Sequence, residues 1–267
     1  MSSDRKKAVF LDIDGTLILR GGGPFKEDKE AMEEAAAKGH LLFLNTGRSF
    51  ANIPQILLEF SFLKGIAAGG GTHVLLSSPN AVLRHETIYH KWVTDDMLAK
   101  IVAWFTKQSR YCVLEGERDC YIINHSSRIR TAKAPISVSS PDDFKIKSSG
   151  DLVTKLTLDG FASEDECRLL EPFFKVNKFV DYSEAIIKGE NKGKAMELIL
   201  NTLGIKREDS IAIGDSANDL DMLRFAGLGI AMGNAPPEIK AAAGAITADC
   251  GKGGVAEALG KFVLGKL

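Results

Sequence analysis

The chain reads as an α/β protein: a doubly wound, mainly parallel sheet built from both ends of the sequence, with a smaller α+β domain inserted in the middle. Three observations predict it. Short apolar runs of strand length, without polar alternation, recur near both ends, as in strands covered on both faces. Three of those runs stop at clusters of polar residues: Asp12 to Thr16, Asn45 to Arg48 and Gly214 to Asp219. Between residues 83 and 187 the repeated order of strand and helix gives way to alternating strands and a hairpin.

Taken in order, the first run, Ala8–Leu11, predicts a buried strand. Residues 27–38, rich in Ala and Glu and followed by Gly39, predict a helix with glycine just past its end. A second buried strand is expected over 41–44, then a helix over 50–60 and a weaker strand over 65–68. Gly69-Gly70-Gly71 reads as a tight turn, with contact to a phosphate as the other use of three bare backbones. Strand, helix, strand, helix, strand is the order of a right-handed layered α/β sheet.

In the middle, residues 85–93 alternate as a strand and Thr94 caps a helix to about 109. Residues 111–114 and 120–124 flank the turn-like Gly116-Glu117-Arg118 as a hairpin, and 152–158 form a further strand. Ser163-Glu164-Asp165-Glu166 is a capping box opening a helix over 163–175, with short strands at 179–182 and 185–187. After Gly189 the first rhythm resumes. Asn191 caps a helix whose Met196, Ile199, Leu200 and Leu203 share one face, and Gly204 ends it. A strand over 210–213, a helix, a strand over 228–231, a helix over 236–241, a strand over 245–247 and a last helix from 254 complete the chain. The domains expected are therefore 1–82 with 188–267, and 83–187 between them.

The 267 residues are 45% apolar and carry 34 Lys+Arg against 35 Asp+Glu. The inserted stretch, 83–187, holds 15 basic and 16 acidic residues, leaving 19 of each elsewhere. Neither part has the basic excess that nucleic acid or an anionic membrane surface demands. No apolar run approaches the ~20 residues that span a bilayer, and Met1 to Lys7 has no signal-peptide character. A soluble, cytoplasmic protein is expected. Cys112, Cys120, Cys167 and Cys250 form no CxxC pair and read as reduced packing residues.

In open α/β sheets the site lies beyond the carboxyl ends of the strands, so the three polar motifs should converge on one crevice. An isolated Asp-x-Asp-Gly would be a turn or a helix cap. Here it follows a buried strand and has two companions. Asp12 and Asp14, two residues apart, would project alike along an extended chain, and Asp215 adds a third carboxylate. Their repulsion calls for a divalent cation. Hard oxygen donors, with room for water and a phosphate, suit Mg²⁺.

These motifs resemble those of the haloacid dehalogenase superfamily of phosphotransferases. Asp12-Ile13-Asp14-Gly15-Thr16-Leu17 looks like its first motif and Thr46-Gly47-Arg48 like its second. Lys192-Gly193 looks like its third, and Gly214-Asp215-Ser216-Ala217-Asn218-Asp219 like its fourth. The resemblance implies a Rossmann-like core. Only a short loop with Gly21-Gly22-Gly23 and Pro24 precedes the first helix, so the insertion falls between the second and third motifs. That placement resembles the Cof-type phosphatase branch, with a C2-type cap of the C2B kind. Where members of that branch commonly have Asn-Gly-Ala, this chain has Gly69-Gly70-Gly71-Thr72.

The resemblance implies hydrolysis of a small phosphomonoester, a sugar phosphate foremost. Asp12 would be the nucleophile, forming an aspartyl-phosphate, and Asp14 the general acid and base. Asp12, Asp215 and Asp14, the last through its backbone carbonyl, would hold Mg²⁺. Thr46, Gly47, Lys192 and Asn218 would bind the phosphoryl oxygens, and Asp219 would orient Lys192 or reach the metal through water. Arg48 is a substrate ligand or a surface ion pair. In the inserted domain Arg118, Arg128, Arg130, Lys133 and His125 either read the leaving group or form a solvated face. Two other readings remain open from sequence: a sugar phosphomutase using the same aspartate pair, and a non-catalytic phosphate-binding or receiver-like domain.

Overall fold

In chain order the strands are β1 (Ala8–Leu11), β2 (Leu41–Asn45), β3 (Leu63–Ala68), β4 (His73–Ser77), β5 (His85–His90), β6 (Cys112–Glu115), β7 (Cys120–Ile123), β8 (Ile136–Val138), β9 (Lys155–Asp159), β10 (Phe174–Lys178), β11 (Tyr182–Ile187), β12 (Ser210–Gly214), β13 (Leu228–Ala231) and β14 (Ala245–Ile246). The helices are α1 (Lys26–Ala37), α2 (Gln55–Leu58), α3 (Asp95–Lys107), α4 (Pro141–Ser148), α5 (Glu164–Leu170), α6 (Lys192–Leu203), α7 (Leu220–Phe225), α8 (Pro237–Ala242) and α9 (Gly254–Phe262). The computed structural model describes residues 5–19, 22–78, 85–124 and 131–266. Among these, no helix is long and apolar enough to cross a membrane.

The chain divides into two units. One holds Met1–Gly47, Ile56–Tyr89 and Asn191–Leu267. Its sheet runs β14-β13-β12-β1-β2-β3-β4-β5, parallel from β14 through β3, with β4 antiparallel to β3. Ala8 and Phe10 pack with Phe43, Ala212 and the apolar faces of α6, α7 and α8. Val9, Leu11, Leu42 and Leu44, on the opposite side of the pleat, are equally buried. Cover on both faces is why these strands read as unbroken apolar runs.

The second unit holds Arg48–Gln55 and His90–Glu190. Its sheet, β10-β11-β9-β6-β7-β8, is antiparallel except for the parallel pair β7 and β8. Leu114, Tyr121, Leu156, Leu158 and Ala185 form its core with Leu98, Ile101, Val102 and Phe105 of α3, Phe144 of α4 and Leu170 of α5.

Several boundaries differ from the expectations, each for a physical reason. The helix over 50–60 is broken into a 3₁₀ turn, Phe50–Asn52, and α2. Pro54 disfavours helical backbone in the residue before it, and Ile53 is extended at φ −75°, ψ 129°. Residues 85–89, expected in the inserted domain, form most of β5 on the edge of the large sheet, so the divisions fall after Tyr89 and Glu190 rather than after residues 82 and 187. Gly69, Gly70 and Gly71 all have positive φ, 62°, 66° and 101°, and fold β4 back onto β3 as an unexpected hairpin. α5 ends at Leu170, because Phe174 is buried opposite Ile187 at the start of β10. β8 and α4, the latter capped by Ser140, were also not expected.

Candidate active site

β1 lies in parallel register between β12 and β2, with Leu11 beside Ile213 and Leu44, so the residues after these strands emerge at one end of the sheet. The Asp12 N–H donates to Ile213 O at 3.0 Å, continuing the pairing one residue past β1. The Asp12 residue is only 3% exposed. The chain then turns sharply. Gly15 N–H donates to Ile18 O at 2.9 Å, and Leu17 and Ile18 both donate to Ile13 O. Gly15 has φ +74°, and a Cβ there would lie 2.2 Å from Asp215 Oδ2. Only glycine satisfies both the backbone and the space. The turn corrects the picture of Asp12 and Asp14 along one extended strand: β1 ends at Leu11, Asp12 is buried and Asp14 is exposed.

Lys192 opens α6, whose preceding residue, Asn191, accepts from Lys194 N–H as N-cap. It is 1% exposed, not a solvated first-turn lysine. Its Nζ donates to Asp12 Oδ1 at 2.6 Å, Asp219 Oδ1 at 2.5 Å and Asn218 Oδ1 at 3.1 Å. Asp219 uses its other oxygen to accept from Asp215 N–H and Ser216 N–H, both at 2.9 Å. Asp219 thus braces the turn after β12 and the lysine at once. Ser216 Oγ donates to Asn218 Oδ1 at 2.9 Å, so the Asn218 oxygen is engaged on the lysine side. Its amide nitrogen sits near Gly47, where a Cβ would approach it to 3.2 Å.

Thr46 is 1% exposed and tied by its backbone, donating to Ala67 O at 2.8 Å and accepting from Gly70 N–H at 2.9 Å. Asn45 Nδ2 donates to Lys192 O at 2.9 Å, linking the end of β2 to the start of α6. Gly71 serves the same junction, since a Cβ there would meet Asn191 O at 2.6 Å. The triple glycine is therefore a turn that admits the N-terminus of α6.

Carboxylate oxygens of Asp12, Asp215 and Asp219 lie within 4.8 Å of one another. Burial, and then the Asp219 charge, push the Asp12 carboxyl well above the ordinary range against the pull of Lys192. Burial and Asp219 likewise raise Asp215, to about 7. Burial opposes a charge on Lys192, yet Asp12 and Asp219 hold its ammonium well above the usual lysine value. Three carboxylates against one ammonium leave negative charge in a poorly hydrated place. Asp215 Oδ1 is buried and has no hydrogen-bond partner. An orphaned carboxylate oxygen in an all-oxygen donor set fits a hard divalent cation.

Two contributors escaped the sequence reading. Asn45 stands in the motif at the end of β2 with no role assigned by the sequence. Asn234, whose amide reaches Gly15 O and Asp215 Oδ2, lies three residues past the carboxyl end of β13, a fourth short apolar strand, and that position was the available signal. In the inserted unit, Arg48 Nη1 donates to Asn52 O, and Arg118 Nη2 to Ser148 O and Ser149 O. Lys133 Nζ donates to Arg118 O. His125, Arg128 and Arg130 lie outside the described residues.

A family model described as haloacid dehalogenase-like hydrolase matches residues 9–259. The chain is 44% identical over 258 residues to a phosphoglycolate phosphatase of Methanothermobacter thermautotrophicus, covering 96% of this chain and 99% of that one. It is 26% identical to the 5-amino-6-(5-phospho-D-ribitylamino)uracil phosphatase of Bacillus subtilis, over 97% and 96% of the two chains. Among solved structures, a subclass IIB sugar phosphatase of the haloacid dehalogenase superfamily matches with TM-score 0.78 and 27% identity, over 96% of this chain and 99% of the other.

Proposed function

The chain belongs to the haloacid dehalogenase-like hydrolases, in their Cof-type branch, as a phosphatase, and from that premise we propose that it hydrolyses a small phosphomonoester with Mg²⁺ by way of a phosphoryl group carried on Asp12. The observation that carries this reading is the buried Asp12 carboxylate, held 2.6 Å from Lys192 Nζ at the carboxyl end of the central strand.

An Asp12 oxygen attacks phosphorus as the bond from phosphorus to the ester oxygen breaks, and Asp14 gives that oxygen a proton. Asp14 then takes a proton from water, whose oxygen attacks phosphorus, releasing inorganic phosphate and restoring Asp12. The exposure of Asp14 suits a group that must meet both leaving group and water. Lys192, the Thr46 hydroxyl, the Gly47 amide and the Asn218 amide nitrogen bind the phosphoryl oxygens, and Asp219 orients Lys192. Asp12, Asp215 and the Asp14 carbonyl would hold Mg²⁺, which when bound offsets the repulsion between nucleophile and phosphate. The inserted unit is proposed to select the leaving group.

The relative at 44% identity is named for phosphoglycolate, and that small carboxylated ester is the substrate proposed first. Likeness to a sugar phosphatase favours a sugar phosphate second. Cytoplasmic action on small molecules, without nucleic-acid or membrane partners, belongs to the same reading. Phosphate release from phosphoglycolate, hexose phosphates and an aryl phosphate, with Mg²⁺ and with chelator, tests it. Asp12→Asn should lower turnover by about three orders of magnitude or more on every substrate. Full activity in that variant, or in chelator, would exclude the mechanism, and conversion of a hexose phosphate into its isomer without phosphate release would favour a mutase.

A further inference from the structure

Asn234 lies outside the four motifs, on the exposed loop after β13, yet its side chain makes three hydrogen bonds. Cys250 N–H donates to Asn234 Oδ1 at 2.7 Å. Since only the oxygen of a side-chain amide accepts, this bond fixes which way the group faces. The nitrogen is thereby turned toward the site, donating to Gly15 O at 2.9 Å and to Asp215 Oδ2 at 3.3 Å.

The consequence falls on Asp215. Its two oxygens are chemically equal until the surroundings distinguish them. Oδ2 is taken by the Asn234 amide and lies against Gly15, where a Cβ would approach it to 2.2 Å. Oδ1 is buried and has no hydrogen-bond partner. Rotation about the Cβ–Cγ bond would exchange them, and the Asn234 bond opposes that rotation. The same amide holds the Gly15 carbonyl, so one side chain ties the turn after β1 to the turn after β12.

We propose that Asn234 is a positioning residue for Asp215: it anchors Oδ2 to the Gly15 turn and so presents Oδ1 as the single oxygen offered to a divalent cation. The proposal rests on the reading of Asp215 as a metal ligand. Partners that orient a metal ligand typically contribute about 10–100-fold in metal affinity.

Calorimetric titration of the full chain with MgCl₂ alone, without substrate, tests it on the wild type, Asn234→Ala and Asp215→Asn. Thermal unfolding in chelator runs alongside. The expected result is Mg²⁺ binding by the wild type, none by Asp215→Asn, and binding weakened about tenfold or more in Asn234→Ala. The Mg²⁺ concentration for half-maximal phosphatase activity should rise by the same factor, with turnover at saturating Mg²⁺ largely kept. A purely structural role for Asn234 would lower the unfolding midpoint in chelator and leave the Mg²⁺ affinity of the folded protein unchanged. Affinity within about twofold of wild type therefore overturns the proposal. A wild type that binds no Mg²⁺, or an Asp215→Asn variant that binds like wild type, overturns the metal-ligand reading and this proposal with it. Should Asn234→Ala fail to fold, Asn234→Ser removes the same donor and is read by the same criteria.

Discussion

Lys192 shows how much one side chain can be asked to do. Its ammonium touches Asp12, Asn218 and Asp219 in a place with almost no solvent, so it both compensates two carboxylates and keeps a donor beside the proposed nucleophile, Asp12. Lys192→Met keeps most of the side-chain length and removes the charge. Turnover should fall by roughly two to three orders of magnitude, and urea unfolding in chelator should show a loss of about 3 kcal/mol, because buried carboxylates are left uncompensated. An unchanged unfolding midpoint would mean that the lysine is dispensable to the fold. The sequence pointed to Lys192 through its motif, while leaving Lys188 and Lys194 as neighbours with the same local chemistry. Only the structure distinguishes them: Lys188 pairs with Glu171 at the surface and Lys194 is exposed.

At the scale of elements, the segment that follows Thr46 and Gly47 is fastened within the inserted unit. Ser49 Oγ and Asn52 Nδ2 donate to Glu115 Oε2 at 3.1 and 3.2 Å, and Ala51 packs with Tyr111, Val113 and Cys120. Glu115 itself is 1% exposed, at the end of β6, with Lys155 of β9 at 3.9 Å and Thr157 Oγ1 donating to it at 2.5 Å. Burial alone would raise its pKa, but Lys155, Thr157, Asn52 and Ser49 outweigh it and hold the carboxyl below its usual value. A depressed carboxylate contributes stability above its unfolded pKa, and that contribution is lost as pH falls through the folded value. Glu115→Gln should therefore cost about 3 kcal/mol at neutral pH, and its deficit should shrink below about pH 4. Urea unfolding at both pH values measures it; a deficit that does not change with pH would assign the loss to shape instead of charge. The expectation of one helix over 50–60 hid this arrangement. Pro54 announces a break, but nothing local says that residues 48–55 pack with β6 and β7, more than fifty positions away.

For the molecule as a whole, the near-balance of charge limits how a phosphate dianion is drawn in. Net charge is −1, and the two parts of the chain are each close to neutral. In the proposed mechanism the attraction comes from a bound cation and from placed groups such as Lys192, because neither part carries a general positive field. At fixed free Mg²⁺, raising KCl from about 0.05 to 0.5 M should change kcat/KM for a dianionic ester by less than about threefold. A tenfold fall would reveal a basic surface that the counts conceal. By itself the sequence determined the parallel sheet, the interrupted order of its two halves and the polar endings of its strands. Strands buried on both faces need unbroken apolar runs, and the endings stand next to them in the chain, so both are written locally. Only the tertiary structure decided that β5 joins the large sheet, that Lys192 meets Asp12 across 180 positions and that Asn234 holds Gly15 across 219. A hydrogen bond between distant residues leaves no periodic or compositional trace, because its geometry exists only once the strands that carry the two partners lie side by side.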